Sequence, residues 1–154
     1  MNYGINIPVA PKGFCTAQQI VQEHISHLNS CGGVYFSTSD RIDPNKATDL
    51  DFLLLSNLSG LRYLCEIESY QYFEDPAVPK DSAMYSPQKY ADVSEKHWFK
   101  LRSISSVGTN VTSNLIPLNK KVSARCGNVE NYISTTGRLQ VFYFEKKNYN
   151  EKTK

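Results

Sequence analysis

The sequence predicts an α+β domain built on a strongly curved sheet or a small open barrel. Three observations carry that expectation. About five to seven short runs are apolar or alternate at period two, and Gly, Pro, Asn and Asp punctuate them. One longer segment, residues 17–28, carries its apolar residues at helical spacing. Residues 51–73, DFLLLSNLSGLRYLCEIESYQYF, read as two strands joined by a tight polar turn.

Each element follows from local chemistry. Residues 3–9 (YGINIPV) form a first strand that Pro8 and Pro11 terminate. Thr16 is the expected N-cap of a helix over 17–28, with Ile20, Val21, His24, Ile25 and Leu28 on one face. Gly32 and Gly33 are available to end it. Residues 34–38 (VYFST) make a short strand, and Asp43-Pro44 marks a turn within the polar stretch 40–49.

The central hairpin comes next. Leu53, Leu54 and Leu55 form a continuous apolar run, the mark of a strand buried on both faces. Residues 58–60 supply the turn, where Gly60 can take positive φ. In the second strand Tyr63, Cys65 and Ile67 alternate with Leu64, Glu66 and Glu68. Residues 74–95 then read as a long polar loop bearing Pro76, Pro79 and Pro87, the kind of loop that is usually functional or mobile. Residues 97–104 (HWFKLRSI) are a strand, 107–114 a polar connection, and 116–125 a segment holding the basic patch Lys120, Lys121 and Arg125. A short helix over 128–134, a last strand over 138–145 and a polar tail over 146–154 complete the chain.

Bulk properties bound the function. At 154 residues with 40% hydrophobic content, the chain makes one domain with a real core, taken as residues 1–145. The net charge of +2 and pI near 8.3 permit a nucleic acid partner without requiring one. No apolar run approaches the length of a membrane span, and the N-terminus lacks the basic and apolar regions of a secretory signal. The expected location is intracellular, cytoplasmic or nuclear, with no membrane partner. Cys15, Cys31, Cys65 and Cys126 show no CxxC or zinc spacing, so they are expected to be reduced and mostly buried thiols.

Catalytic patterns are weak. His24 and His27 stand three apart behind Glu23, but no third metal ligand accompanies them. No signature places a cysteine nucleophile beside a histidine. Glu66 and Glu68 share a strand face, which points to a solvated surface. Gly32-Gly33 follows a helix instead of preceding one, so there is no phosphate loop. The expectation is a protein that is not an enzyme and needs no cofactor or metal.

Aromatics are the stronger signal, with ten Tyr, seven Phe and one Trp. Tyr85 and Tyr90 lie in the polar 74–95 loop, where a core does not demand them. Their rings can stack on a base or enclose a methyl group, or they can pin the loop to the sheet.

Four blocks in order resemble the YTH domain, within the PUA-like group that includes EVE domains. Val34-Tyr35-Phe36-Ser37-Thr38 looks like the family's Ile-Trp-Cys-Ser-Thr block. Residues 52–69, FLLLSNLSGLRYLCEIES, are similar to its apolar strand, Ser-Gly turn and following strand. Tyr85-Ser86-Pro87-Gln88-Lys89-Tyr90 resembles the loop with two tryptophans five apart, and residues 97–101 (HWFKL) a later strand. The likeness covers residues 34–104, roughly half the chain.

That resemblance implies a reader of N6-methyladenine in single-stranded or flipped-out nucleic acid, RNA ahead of DNA. Carried over by position, Tyr35, Tyr85 and Tyr90 form the aromatic cage. Ser37, Thr38 and Asn57 contact the base edge. Lys120, Lys121, Arg125, Arg41 and Lys89 hold phosphates. Tyrosine replaces tryptophan at all three cage positions, and the family's basic-acidic N-terminal run and long C-terminal helix are missing. These departures mark a divergent relative. The alternative function is a protein-interaction module on the same PUA-like fold, with the 74–95 loop docking a partner and no nucleic acid bound.

Overall fold

The computed structural model describes residues 2–137 and 140–147. It is an α+β fold with a seven-stranded mixed sheet. Six strands are β1 (Tyr3–Pro8), β2 (Val34–Thr38), β3 (Phe52–Ser56), β4 (Arg62–Ala77), β5 (Glu95–Ser106) and β6 (Leu115–Pro117). With β7 (Phe142–Lys146), the order across the sheet is β2-β5-β4-β3-β1-β7-β6. The chain divides into two compact units: residues 1–9, 50–64 and 105–154 in one, 10–49 and 65–104 in the other.

The first unit is built on β1. It runs parallel to β3, with Ile5 opposite Leu53 and Ile7 opposite Leu55, and antiparallel to β7, with Gly4 opposite Phe144. Leu53, Leu54 and Leu55 are all fully buried, as the apolar run predicts. Leu54, Leu115 and Phe144 pack against Val129 and Ile133 of helix α6 (Val129–Thr136). Gly4 is favoured here because a Cβ on it would overlap the ring of the fully buried Phe144.

The second unit is built on helix α1 (Ala17–Cys31) and the antiparallel pair β2–β5. Thr16 caps the helix in a reciprocal capping box with Gln19, satisfying two amide donors at once. Gly32, at φ 78°, ends it. Ala17, Ile20, Val21 and His24 form the buried stripe. Trp98 is fully buried, and its indole N–H donates to the Ala77 and Glu95 carbonyls at 3.0 Å each.

Several expectations are corrected. The second hairpin strand does not stop near Tyr72 but continues to Ala77, because main-chain pairing carries it past the point where side-chain alternation fades. The rest of the supposed 74–95 loop contains a short helix, α3 (Ser82–Tyr85), and β5 begins at Glu95. The polar stretches at 40–49 and 107–114 hold short helices α2 (Pro44–Ala47), capped by Asp43, and α4 (Thr109–Thr112). The basic patch is itself helical, α5 (Lys120–Cys126), with Asn119 as its cap. The last strand begins at Phe142 and takes in Lys146. Arg138 and Leu139 of the expected strand, and residues 148–154 of the expected tail, lie outside the described residues. Of the four cysteines only Cys65 is buried; Cys31 is exposed, and Cys15 and Cys126 are half-buried.

Candidate binding site

The three tyrosines all fall in the second unit, but the structure brings together only two. Tyr35 on β2 is 7% exposed and meets the Tyr85 ring edge-on, with centroids 6.5 Å apart. Tyr35 also meets Trp98 at 5.6 Å, and its hydroxyl donates to Asp81 Oδ1 at 2.8 Å. Burial first, and the Asp81 carboxylate second, push the Tyr35 phenol above its ordinary pKa. The Lys100 ammonium sits 3.7 Å above the Tyr85 ring and also pairs with Glu68 at 3.4 Å.

Tyr90 is elsewhere. It packs on His24 at 5.1 Å, and His24 in turn packs on Phe36 at 5.4 Å. Tyr35 and Phe36 are consecutive in a strand, so their side chains leave opposite faces. Tyr35 pairs with Lys100 across the ladder, and Phe36 with Phe99. The Tyr35–Tyr85 pair and Tyr90 therefore occupy opposite faces of the β2–β5 pair. The expected cage of three rings is not assembled, because the two loop tyrosines diverge: Tyr85 ends α3, whereas Tyr90 closes the next turn.

The base-edge residues are likewise divided. Ser37 and Thr38 are half-buried on β2, opposite Trp98 and His97, and the Thr38 hydroxyl accepts from the Asp40 amide. Asn57 lies in the first unit. Its Oδ1 accepts from the amides of Ser59 and Leu61, so this side chain builds the turn. It borders a cavity of about 10 Å³ between β1, β3 and α6, room for about one water and far too little for a base. The phosphate candidates are split too. Lys120, Lys121 and Arg125 are exposed on α5 in the first unit, while Arg41 and Lys89 are exposed in the second.

Sequence reasoning missed a second aromatic group. Tyr70, Tyr72, His97 and Phe99 cluster in the second unit. The Tyr70 ring stacks on His97 at 6.0 Å, and its hydroxyl lies 2.6 Å from His97 Nδ1. Tyr70 also meets Phe99, and Tyr72 meets His97. The signal that could have found it is the alternation of Tyr70 and Tyr72, in the part of β4 where the apolar pattern fades. Burial is the main reason His97 titrates below 6.5, with Lys96 adding to it.

An open groove of about 670 Å³ lies in the second unit. One wall is the outer side of α1 and the residue before its cap: Cys15, Gln18, Gln22, Ser26 and His27. The other wall is residues 87–89. Lys89 reaches Glu23 at 2.9 Å and the Cys15 sulfur at 3.0 Å, and the His27 ring donates to the Met84 carbonyl at 2.7 Å. Just before Cys15, a two-residue turn is closed by reciprocal bonds between Lys12 and Cys15, and Gly13 takes φ 60°. That turn holds Phe14 fully exposed to solvent.

His24 and His27, the pair at metal-ligand spacing, gather no further ligands. His24 is buried, its Nδ1 2.7 Å from the Ile20 carbonyl of its own helix, and burial lowers its pKa. Among the described residues, no three His, Cys, Asp or Glu side chains are placed to hold a metal ion. No described helix is long and apolar enough to cross a membrane. Searches of protein-family models, curated proteins and solved structures found no match to the chain.

Proposed function

We propose that this protein is a non-enzymatic interaction module that docks an extended polypeptide in the groove between α1 and residues 87–89. The observation that supports this reading is the chemistry of the groove walls. They include the amide and hydroxyl side chains of Gln22, Ser26, Ser30 and Gln88. Carboxamides both donate and accept, which suits the N–H and C=O groups of an extended backbone. The salt bridge in the walls, Lys89 with Glu23, is internal, so the groove offers little net charge for a phosphate backbone. Phe14, fully exposed on the turn that precedes α1, supplies an apolar anchor for one partner side chain. Selection from a display library of short peptides tests this. Enriched peptides that lose binding to Phe14→Ala or Gln22→Ala support the module; selection of nothing above background removes it.

The second reading is the modified-base reader, with N6-methyladenine as ligand. It is favoured by the resemblance over residues 34–104 and by the Tyr35–Tyr85 pair. On this reading Lys100 moves off the Tyr85 face to admit the base, and the Tyr70–Tyr72–His97 cluster is structural. Each base–aromatic stack is worth about 1–3 kcal/mol. Fluorescence anisotropy with methylated and unmethylated single-stranded RNA, over a salt series, decides it. Preference for the methylated strand, a steep salt slope and loss on Tyr85→Ala establish the reader; equal binding of both strands, or none, discards it.

A further inference from the structure

The groove holds a reactive arrangement whose thiol neither reading uses. Cys15 Sγ lies 3.0 Å from Lys89 Nζ, and Lys89 Nζ lies 2.9 Å from Glu23 Oε2. The two joined residues come from separate parts of the chain, 74 positions apart. Both are accessible: Cys15 is half-buried, and more than half of the Lys89 side chain is exposed. Glu23 Oε1 is buried and makes no hydrogen bond within ordinary limits, though Glu23 helps raise the pKa of the Tyr90 hydroxyl, after burial. A sulfur, an amine and a carboxylate thus stand in a row at the mouth of an open groove.

We propose that Cys15 and Lys89 are a peroxide-sensitive cross-link site, forming a reversible sulfur–nitrogen bond. In the first step the Cys15 thiol attacks the O–O bond of a hydroperoxide. The sulfur loses two electrons and becomes a sulfenic acid, and the peroxide is reduced to water or an alcohol. In the second step the Lys89 ammonium gives a proton to Glu23, and its nitrogen lone pair attacks the sulfenic sulfur. The S–O bond breaks, the hydroxyl takes one amine proton and leaves as water, and an S–N bond forms. This step is redox-neutral. A thiol reverses it: attack on sulfur releases the Lys89 amine as a mixed disulfide forms, and a second thiol restores Cys15. The bond to the Glu23 carboxylate, with Cys15 second, raises the Lys89 pKa, so the amine must give up a proton before it can attack.

The link would fasten residues 87–89 to the start of α1 across the groove. Control of a ligand by it rests on the groove being the docking site; formation of the link does not. The test therefore needs no ligand. The full chain carrying Cys31→Ser and Cys126→Ser is treated with hydrogen peroxide and digested with trypsin. The expected product has lost two hydrogens and yields one peptide pair joining Cys15 to Lys89, with cleavage after Lys89 blocked and restored by dithiothreitol. Lys89→Arg keeps the charge beside Glu23 and loses the cross-link, leaving Cys15 as sulfenic or sulfinic acid. If the unsubstituted Lys89 protein also gives only those acids, or a disulfide to Cys65 or a second copy, the proposal is overturned.

Discussion

Two acid–base pairs in this molecule show how burial changes what the same chemistry does. In the first unit, Arg62 is buried and grips Glu130 with two parallel bonds, Nε to Oε1 at 3.0 Å and Nη2 to Oε2 at 3.2 Å. The Thr112 and Ser134 hydroxyls add bonds to the same carboxylate, and Arg62 also donates to the Asn57 and Leu61 carbonyls. Every strong group there is spoken for. In the second unit, Lys89 and Glu23 meet at the edge of an open groove with a thiol alongside. Removed from water, a pair holds the fold; left in water, it adds little stability and remains open to chemistry.

The largest test of that contrast is Glu130→Ala. It strands the Arg62 guanidinium in a buried site and should cost about 3 kcal/mol, read by urea unfolding. A loss indistinguishable from that of a surface substitution would collapse the comparison. Acid should expose the same difference. Burial alone would raise the Glu130 pKa, but the bonds from Arg62 and Thr112 outweigh it, and the folded value lies below 4.5. Its contribution is therefore complete above pH 4.5 and lost as pH falls toward the folded pKa. His24 and His97 also titrate low when folded, chiefly through burial. Between 6.5 and their folded values only the unfolded chain takes up these protons, so stability begins to fall below about pH 6.5. Thermal melts across pH 4 to 8, repeated with His97→Phe, check the upper limb; an unchanged profile in the variant would show that His97 does not set it.

A smaller effect is expected from Gly4→Ala, about 2 kcal/mol, because the new methyl overlaps the buried Phe144 ring. Gly4→Ala combined with Phe144→Leu should recover part of that loss, which a purely conformational penalty at Gly4 would not allow. Tyr35→Phe removes the bond to Asp81 and should cost about 1 kcal/mol. Lys89→Ala should leave the denaturation midpoint unmoved within error, since an exposed pair is screened by water. A clear drop would mean that the groove pair is structural, and would weaken the claim that it is kept for chemistry.

Much of the framework was legible because it depends on neighbours in the chain. The capping box at Thr16 and the 3.6-residue stripe through His24 lie within a few residues of one another. The Leu53–Leu55 run announced a strand buried on both faces, and residues 58–60 announced the turn after it, whereas the part Asn57 plays in that turn emerged only from its hydrogen bonds. The parallel pairing of β1 with β3 was not legible, because it joins segments about fifty residues apart through backbone atoms that every sequence shares.

The candidate site divides the same way. Sequence alone placed aromatic side chains at residues 35, 85 and 90 and an amide and a lysine at 88 and 89. Only tertiary structure decided that Tyr35 and Tyr85 meet while Tyr90 turns to His24, since the path of the chain through α3 and the turn after it sets where each of the two later rings lands. Only tertiary structure set Lys89 against Cys15 and Glu23. Composition names the groups a chain can use, but reactivity and recognition depend on distances that long-range packing sets.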